Sequence, residues 1–146
     1  MFKSILTVCT GNICRSPAAE YFLRDRLARR EAWQGVVQSA GVAALDGRAA
    51  DETTQALMLE RGIDLGGHRG RQLTVDILRK VDLVLVMEKY HRDALLDIDP
   101  AARGKTFLLG HWMNMEIADP YRRGREAHGE SLRLIDMAIE SWLGKL

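Results

Sequence analysis

The chain has 146 residues, of which 47% are hydrophobic, and its 21 basic and 20 acidic residues leave a formal net charge of +1. This size suits one hydrophobic core, so residues 1–146 are expected to form a single domain. The near-neutral charge gives no electrostatic basis for nucleic-acid binding, and no apolar segment is long enough for membrane insertion.

The first apolar run, residues 5–8, predicts a buried strand, and the segment that starts at Pro17 predicts a helix. Ser16 is placed to cap that helix, with Pro17 at its first position. The short loop between them carries Cys9 at its start and Arg15 at its end. A strand, loop and helix in this order point several N–H groups at one centre, which favours a bound anion without a metal.

The side chains of this loop suit phosphate-ester chemistry. Cys9 is the expected nucleophile, because donors that hold a phosphate also stabilise a thiolate; an inert buried cysteine is the alternative. Arg15 is expected to bind two phosphate oxygens through its planar fork. Gly11 and Asn12 suit positive φ angles, and the Ser16 hydroxyl is placed to donate to the Cys9 sulfur. The predicted phosphate-binding residues are Thr10, Gly11, Asn12, Ile13, Cys14, Arg15 and Ser16.

Strand-like and helix-like segments alternate along the rest of the chain. Short apolar runs predict three more buried strands, and amphipathic segments between them predict helices. The glycine-rich stretch 62–70 is interpreted as a loop. This alternation is typical of a parallel α/β sandwich. The predicted strands are 36–40, 83–87 and 106–109, and the predicted later helices are 51–61, 74–80, 88–96 and 127–143.

Asp119 is the candidate general acid. Cleavage of an aryl phosphate needs a proton for the leaving phenolate, whose conjugate acid has a pKa near ~10. Pro120 favours an extended backbone at Asp119 and stiffens its loop. An ordinary Asp-Pro turn is the alternative for this pair.

Residues 8–17, VCTGNICRSP, closely resemble the signature of the low molecular weight protein tyrosine phosphatases. Residues 119–121, DPY, resemble the general-acid loop of that family, and QSAG at 38–41 and HRGRQL at 68–73 follow in its order. The likeness covers essentially the whole chain. MEK at 87–89 and the stretch 104–121, which contains GHW, are more similar to the bacterial branch linked to capsule and exopolysaccharide export.

The resemblance implies a four-stranded parallel sheet of order 2-1-3-4 with helices on both faces. It also implies that Ser39 and His68 hydrogen-bond Asn12 and support the loop, although an ordinary surface histidine is the alternative for His68. Tyr121 is expected to form one wall of a slot for a phenyl ring. Leu45 stands on the opposite wall, where eukaryotic relatives have an aromatic residue and the stretch 41–51 has none.

The function implied is that of a cytoplasmic protein-tyrosine phosphatase with a cysteinyl-phosphate intermediate, and its expected partner is a bacterial tyrosine autokinase of polysaccharide export. No cofactor or metal is expected, because the spacing of the cysteines and histidines matches no zinc motif. One alternative is an arsenate reductase of the same fold, which uses additional distal cysteines, whereas this chain has Cys9 and Cys14 alone. The other is a non-catalytic phosphotyrosine-binding module.

Two further features allow two interpretations each. Cys14 either traps an oxidised Cys9 as a disulfide or packs beneath the loop. The basic cluster Arg122, Arg123 and Arg125 either attracts substrates with several phosphotyrosines or is a solvated surface.

Overall fold

The computed structural model describes residues 2–146, which form four strands and five α-helices. The strands are β1 (Ser4–Cys9), β2 (Val36–Gly41), β3 (Leu83–Val86) and β4 (Thr106–Leu108). The helices are α1 (Arg15–Leu27), α2 (Glu52–Glu60), α3 (Val75–Arg79), α4 (Lys89–Ile98) and α5 (Arg125–Leu143). Two 3₁₀ segments, Pro100–Lys105 and His111–Met113, were not predicted.

The strands form one parallel sheet of order β2-β1-β3-β4, which confirms the expected fold class. Alternate residues of β1 face opposite sides: Ile5 packs in one core cluster and Leu6 in the other. The first cluster contains residues of α1, α2 and α5, and the second contains residues of α3 and α4. The sheet is therefore covered by helices on both faces.

The start of α1 differs from the prediction. The helix begins at Arg15 with Cys14 in the capping position, and its first turn has no side-chain cap. Ser16 already lies inside the helix, where its hydroxyl bonds to other side chains. Ser16 as the N-cap is therefore wrong, because the loop has tertiary partners for this hydroxyl.

The loop after β1 lies where the order of the sheet reverses. From β1 the chain continues first to β2 on one side and later to β3 on the other. Ligands of parallel sheets bind beyond the carboxyl ends of the strands at such a point. None of the helices formed by the described residues is long and apolar enough to cross a bilayer.

Candidate active site

The backbone of the loop after β1 turns its carbonyl groups outward. Each carbonyl oxygen from Cys9 to Cys14 accepts a hydrogen bond of 2.7–3.2 Å from a group outside residues 9–14. The donors are the backbone N–H groups of Val42, Ala43, Leu45, Asp51 and Ala18 and the imidazole of His68. Within residues 2–146, none of the N–H groups of residues 10–15 donates to a protein acceptor. These N–H groups are the donors that an oxyanion would use.

Asn12 fixes the shape of this loop. It adopts the left-handed conformation with φ of 58°, which asparagine accepts at low cost. Its side-chain amide donates to the hydroxyls of Ser16 at 2.8 Å and Ser39 at 2.9 Å, and its Oδ1 accepts from Arg71 N–H at 2.9 Å. The expectation of a positive φ at Gly11 is wrong. Among the described residues, the glycines with positive φ are Gly47, Gly62 and Gly124.

His68 and Ser39 extend the support behind Asn12. His68 is buried, and its Nε2 donates to the Asn12 carbonyl at 2.7 Å. Ser39 donates to Glu20 Oε1 at 2.5 Å, and the same carboxylate oxygen lies 3.9 Å from His68 Nδ1. The structure thus places His68 among the loop supports and not on an open surface.

Two glycines let neighbouring backbone pack against the loop. A Cβ atom on Gly41 would lie 2.4 Å from the Thr10 carbonyl oxygen, and one on Gly70 would lie 2.5 Å from that of Leu45. Both distances are far below contact distance, so any side chain there would displace the segments that satisfy the loop carbonyls.

Cys9 lies at the carboxyl end of β1 with 2% of its surface exposed. Its Sγ is 2.9 Å from the Ser16 hydroxyl. Because Asn12 already donates to this hydroxyl, the hydroxyl proton can point at the sulfur or at the Ala40 carbonyl, which lies farther away at 3.4 Å. That proton stabilises a thiolate, both when it attacks and when it leaves.

Arg15 is almost completely buried at the other end of the loop, with 1% of its side chain exposed. Its Nη1 donates to Glu88 Oε2 at 2.6 Å and to the Ile117 carbonyl at 2.7 Å, while Nη2 lies 3.8 Å from Asp119 Oδ2. Burial opposes its charge, but the negative charge of Cys9 and of two nearby carboxylates raises its pKa above the ordinary value. Sequence reasoning noted Glu88 only within MEK at 87–89 and missed its pairing with Arg15, from which it is 73 residues away in sequence.

Thr10 contacts a pair of aromatic residues that the sequence did not assign. Its hydroxyl bonds to the Tyr90 hydroxyl and lies 2.9 Å from His91 Nε2. The N–H of Glu88 donates to His91 Nδ1 at 3.0 Å, so Nδ1 is the acceptor and Nε2 carries the proton. Burial, together with the charge of Arg15, lowers the pKa of His91 to about 3. His91 is therefore neutral at physiological pH and donates to Thr10.

Asp119 lies on the loop before α5 with 47% of its side chain exposed. Its Oδ1 accepts from the N–H of Tyr121 at 3.0 Å, and its Oδ2 faces Arg15. This carboxyl group thus lies beside Arg15 and lines the cavity that also contains Cys9.

Residues of the loop, Arg15 and Asp119 together line one cavity of about 190 Å³. Leu45 and Tyr121 line it as the sequence predicted, and the guanidinium of Arg122 lies 5.2 Å from the centre of the Tyr121 ring. The other lining residues are Cys9, Thr10, Gly11, Ile13, Cys14, Arg15, Ala43 and Asp119.

Cys14 lines the same cavity and also lies near Asp51 and His128. Burial and the negative charge of Asp51 raise the pKa of its thiol to about 12. Its sulfur, an Asp51 oxygen and a ring nitrogen of His128 lie within 4.8 Å of one another. Spacing along the sequence did not reveal this group.

Comparison with known proteins identifies the type of site. The family model of the low molecular weight phosphotyrosine protein phosphatases matches residues 4–146. The chain is 45% identical over 147 residues to the probable low molecular weight protein-tyrosine-phosphatase AmsI of Erwinia amylovora, covering 100% of this chain and 99% of that protein.

Solved structures agree with this result. Wzb of Vibrio vulnificus, solved in complex with benzylphosphonate, is 42% identical with a TM-score of 0.94 and full coverage of both chains. The YwlE arginine phosphatase of Geobacillus stearothermophilus is 32% identical with a TM-score of 0.89, covering 98% of this chain and 92% of that one.

Proposed function

The chain belongs to the low molecular weight protein tyrosine phosphatase family, in its bacterial branch of capsule and exopolysaccharide systems, and we propose that it hydrolyses phosphotyrosine through a cysteinyl-phosphate on Cys9. The observation that carries this mechanism is the loop itself. Its carbonyls are held outward from Cys9 to Cys14, and Cys9 and Arg15 stand at its two ends. We propose residues 1–146 as one phosphatase domain.

The first half of the reaction transfers the phosphoryl group to sulfur. The Cys9 thiolate attacks phosphorus while the bond to the phenolic oxygen breaks, and Asp119 gives its proton to that oxygen. The equatorial oxygens of the transition state are bound by the loop N–H groups and by Arg15, whose planar fork suits them.

The second half hydrolyses the phosphocysteine. Asp119, now ionised, accepts a proton from water as the water oxygen bonds to phosphorus and the sulfur departs as a thiolate. The Ser16 hydroxyl, 2.9 Å from that sulfur, stabilises it as a leaving group. Phosphate then dissociates and leaves Cys9 as a thiolate and Asp119 protonated, as at the start of the cycle. The cycle uses no metal or cofactor.

The substrate is proposed to be an aryl phosphate. Leu45 and Tyr121 line the cavity above the loop and are placed to hold a phenyl ring. Benzylphosphonate, which is bound in the Vibrio vulnificus relative, also carries a phenyl ring. We propose a bacterial tyrosine autokinase as the protein partner and the cytoplasm as the location, where thiols such as Cys9 stay reduced.

Kinetics with p-nitrophenyl phosphate and with matched phosphotyrosine, phosphoserine and phosphoarginine peptides, in the presence of EDTA, test this function. We expect turnover of the two aryl phosphates and at least about 100-fold lower kcat/KM on the other two peptides. Comparable hydrolysis of phosphoserine would contradict the slot, and preference for phosphoarginine would assign the activity of the Geobacillus stearothermophilus relative.

The same preparation separates the other two candidate functions. An arsenate reductase would reduce arsenate with a thiol donor and would hydrolyse little aryl phosphate. A binding module would bind the phosphotyrosine peptide without releasing phosphate. We expect phosphate release and no arsenate reduction.

A further inference from the structure

Three different metal-binding side chains meet behind the phosphate-binding loop. Cys14 stands just before α1, Asp51 precedes α2, and His128 lies in the first turn of α5. Their sulfur, oxygen and nitrogen atoms lie within 4.8 Å of one another. Cys14 and His128 are buried, and Asp51 is half-buried.

A neighbouring hydroxyl orients the histidine. Thr54 Oγ1 donates to Asp51 Oδ2 at 3.4 Å and lies 3.2 Å from His128 Nδ1. In the tautomer with the proton on Nδ1, this hydroxyl accepts from Nδ1–H. This arrangement leaves the lone pair of His128 Nε2 free, and Nε2 lies 3.7 Å from Asp51 Oδ2. His128 Nε2 and Asp51 Oδ2 thus face each other with unshared electron pairs, and the Cys14 sulfur lies beside them. Metal-binding histidines commonly donate their other N–H to an oxygen in this way.

From this cluster we propose that Cys14, Asp51 and His128 bind a Zn²⁺ ion, with water as the fourth ligand. One thiolate, one imidazole and one carboxylate form a donor set that suits zinc, whereas Mg²⁺ and Ca²⁺ prefer oxygen alone. On binding, the Cys14 thiol loses its proton to solvent and its sulfur donates an electron pair to the metal, with no change of oxidation state. Tetrahedral zinc requires ligand atoms roughly 3.5 Å apart. His128 Nε2 and Asp51 Oδ2, at 3.7 Å, are already close to this distance, and a separation of 4.8 Å would have to shorten by about 1 Å.

The cavity provides the entry path for the ion, because Cys14 lines it. The bound ion would join the phosphate-binding loop to the N-terminal ends of α2 and α5, which are 37 and 114 residues further along the chain. The ligands of this site differ from the residues that carry the proposed phosphatase reaction, which are Cys9, Arg15 and Asp119.

Zinc binding is measured by calorimetric titration of Zn²⁺ into the full chain carrying Cys9→Ser, which removes the competing thiolate of the active site. We expect one Zn²⁺ per chain, released by EDTA, and a melting temperature that rises with zinc concentration. Co²⁺ serves as a spectroscopic probe and should show a thiolate-to-cobalt charge-transfer band.

Ligand variants in the same background locate the ion. His128→Gln and Asp51→Asn should each weaken Zn²⁺ binding at least about tenfold, and Cys14→Ala should also abolish the charge-transfer band. Asp51→Asn keeps an oxygen that can accept from Thr54 N–H and cap α2, so it separates loss of a ligand from loss of folding. His111→Gln, at an exposed histidine, is the matched control and should bind zinc normally.

Equal zinc affinity in His128→Gln, Asp51→Asn and His111→Gln would overturn the proposal. A cobalt complex that lacks the thiolate band would overturn it as well. Circular dichroism of each variant without metal confirms that the comparison is made between folded proteins.

Discussion

Arg15 holds its positive charge inside the protein because Glu88 pairs with it at 2.6 Å. A buried guanidinium without such a partner would cost several kcal/mol. With Glu88 on one side, the free edge of the fork can face the dianion of a phosphate ester. Removing Arg15 therefore has two effects: the phosphate loses a ligand and Glu88 loses its counter-charge.

Substitution at the two ends of the loop should separate binding from chemistry. Cys9→Ser should lower kcat by roughly 10⁴-fold or more while vanadate still binds, since the N–H groups and Arg15 remain. Arg15→Ala should lose both turnover and vanadate binding, and Arg15→Lys should recover little, because an ammonium cannot bind two oxygens in one plane. Near-normal turnover in Cys9→Ser would refute the covalent mechanism.

Asp119→Asn should reveal the proton donor through the leaving group. The loss in kcat/KM should be about 10²- to 10⁴-fold on phenyl phosphates with basic leaving groups and should shrink as the leaving group becomes a weaker base. Asp97→Asn, at an exposed aspartate of α4, is the control and should leave the rates unchanged. A loss independent of leaving-group pKa would show that Asp119 is not the general acid.

Cys14 lines the same cavity as Cys9, so it can be tested as its redox partner. We expect peroxide to inactivate the enzyme and a thiol reductant to restore it, because Cys14 can trap the Cys9 sulfenic acid as a disulfide with loss of water. In Cys14→Ser the inactivation should become largely irreversible. Equal recovery of both proteins would show that Cys14 only packs beneath the loop.

The association of the loop residues was predictable from sequence, but their distant partners were not. Cys9, Arg15, Asn12 and Ser16 lie within eight residues, so local spacing predicted their association. Glu88 pairs with Arg15 across 73 residues, and its local pattern, MEK at 87–89, does not indicate this partner. The donor set of Cys14, Asp51 and His128 is equally invisible, because the sheet topology brings its members together.

At the scale of elements, α4 begins directly behind the phosphate-binding loop. His91, in its first turn, donates to Thr10 from Nε2 and accepts from Glu88 N–H at Nδ1. The contact with Glu88 requires the neutral ring, because a protonated Nδ1 cannot accept a hydrogen bond. The pattern predicted a helix at 88–96, and the observed α4, Lys89–Ile98, agrees within two residues. Nothing in that pattern indicated that one face of the helix meets the active site.

The pKa of His91 predicts how stability depends on pH. It falls from 6.5 to about 3 in the folded protein, so between these values the unfolded chain binds a proton that the native state does not. The free energy of unfolding should therefore fall as pH drops below 6.5, by at most about 1.4 kcal/mol per pH unit from this group. Urea unfolding of the wild type and of His91→Gln at pH 5–7 measures the difference in slope. Equal slopes would contradict a buried neutral His91.

The strands were predicted to within one residue at each end because buried parallel strands are continuous apolar runs. The ends of helices were less predictable. The prediction placed the last helix at 127–143, but α5 begins at Arg125, which pairs with Glu60 at 2.6 Å. Arg125 and Glu126 are both exposed, so the apolar pattern did not mark this first turn.

At the scale of the molecule, the parallel sheet brings the ends of β1, β2 and β3 to one edge. Cys9 ends β1, Gly41 ends β2 and makes room for the loop, and Glu88 follows β3. The order 2-1-3-4 came from the family resemblance, since alternation of strands and helices alone allows several orders. The fold thus brings the N–H groups of the loop and Arg15 to one edge of the sheet, although the net charge of the whole chain is only +1.

The basic cluster beside Asp119 tests whether this rim also attracts substrates from a distance. Arg122 lies over the Tyr121 ring and Arg125 pairs with Glu60, so part of its charge is already engaged. Exposed charges act on the rate of encounter and are screened over about 8 Å at physiological ionic strength.

Replacing Arg122, Arg123 and Arg125 by Gln should lower kcat/KM for a peptide with several phosphotyrosines at low salt, and the difference should vanish at high salt. Hydrolysis of p-nitrophenyl phosphate should stay nearly unchanged. A control of equal net charge replaces Arg29, Arg61 and Arg103 and should keep the wild-type rates. A preference for the multiply phosphorylated peptide that does not depend on salt would show direct contacts in place of long-range attraction.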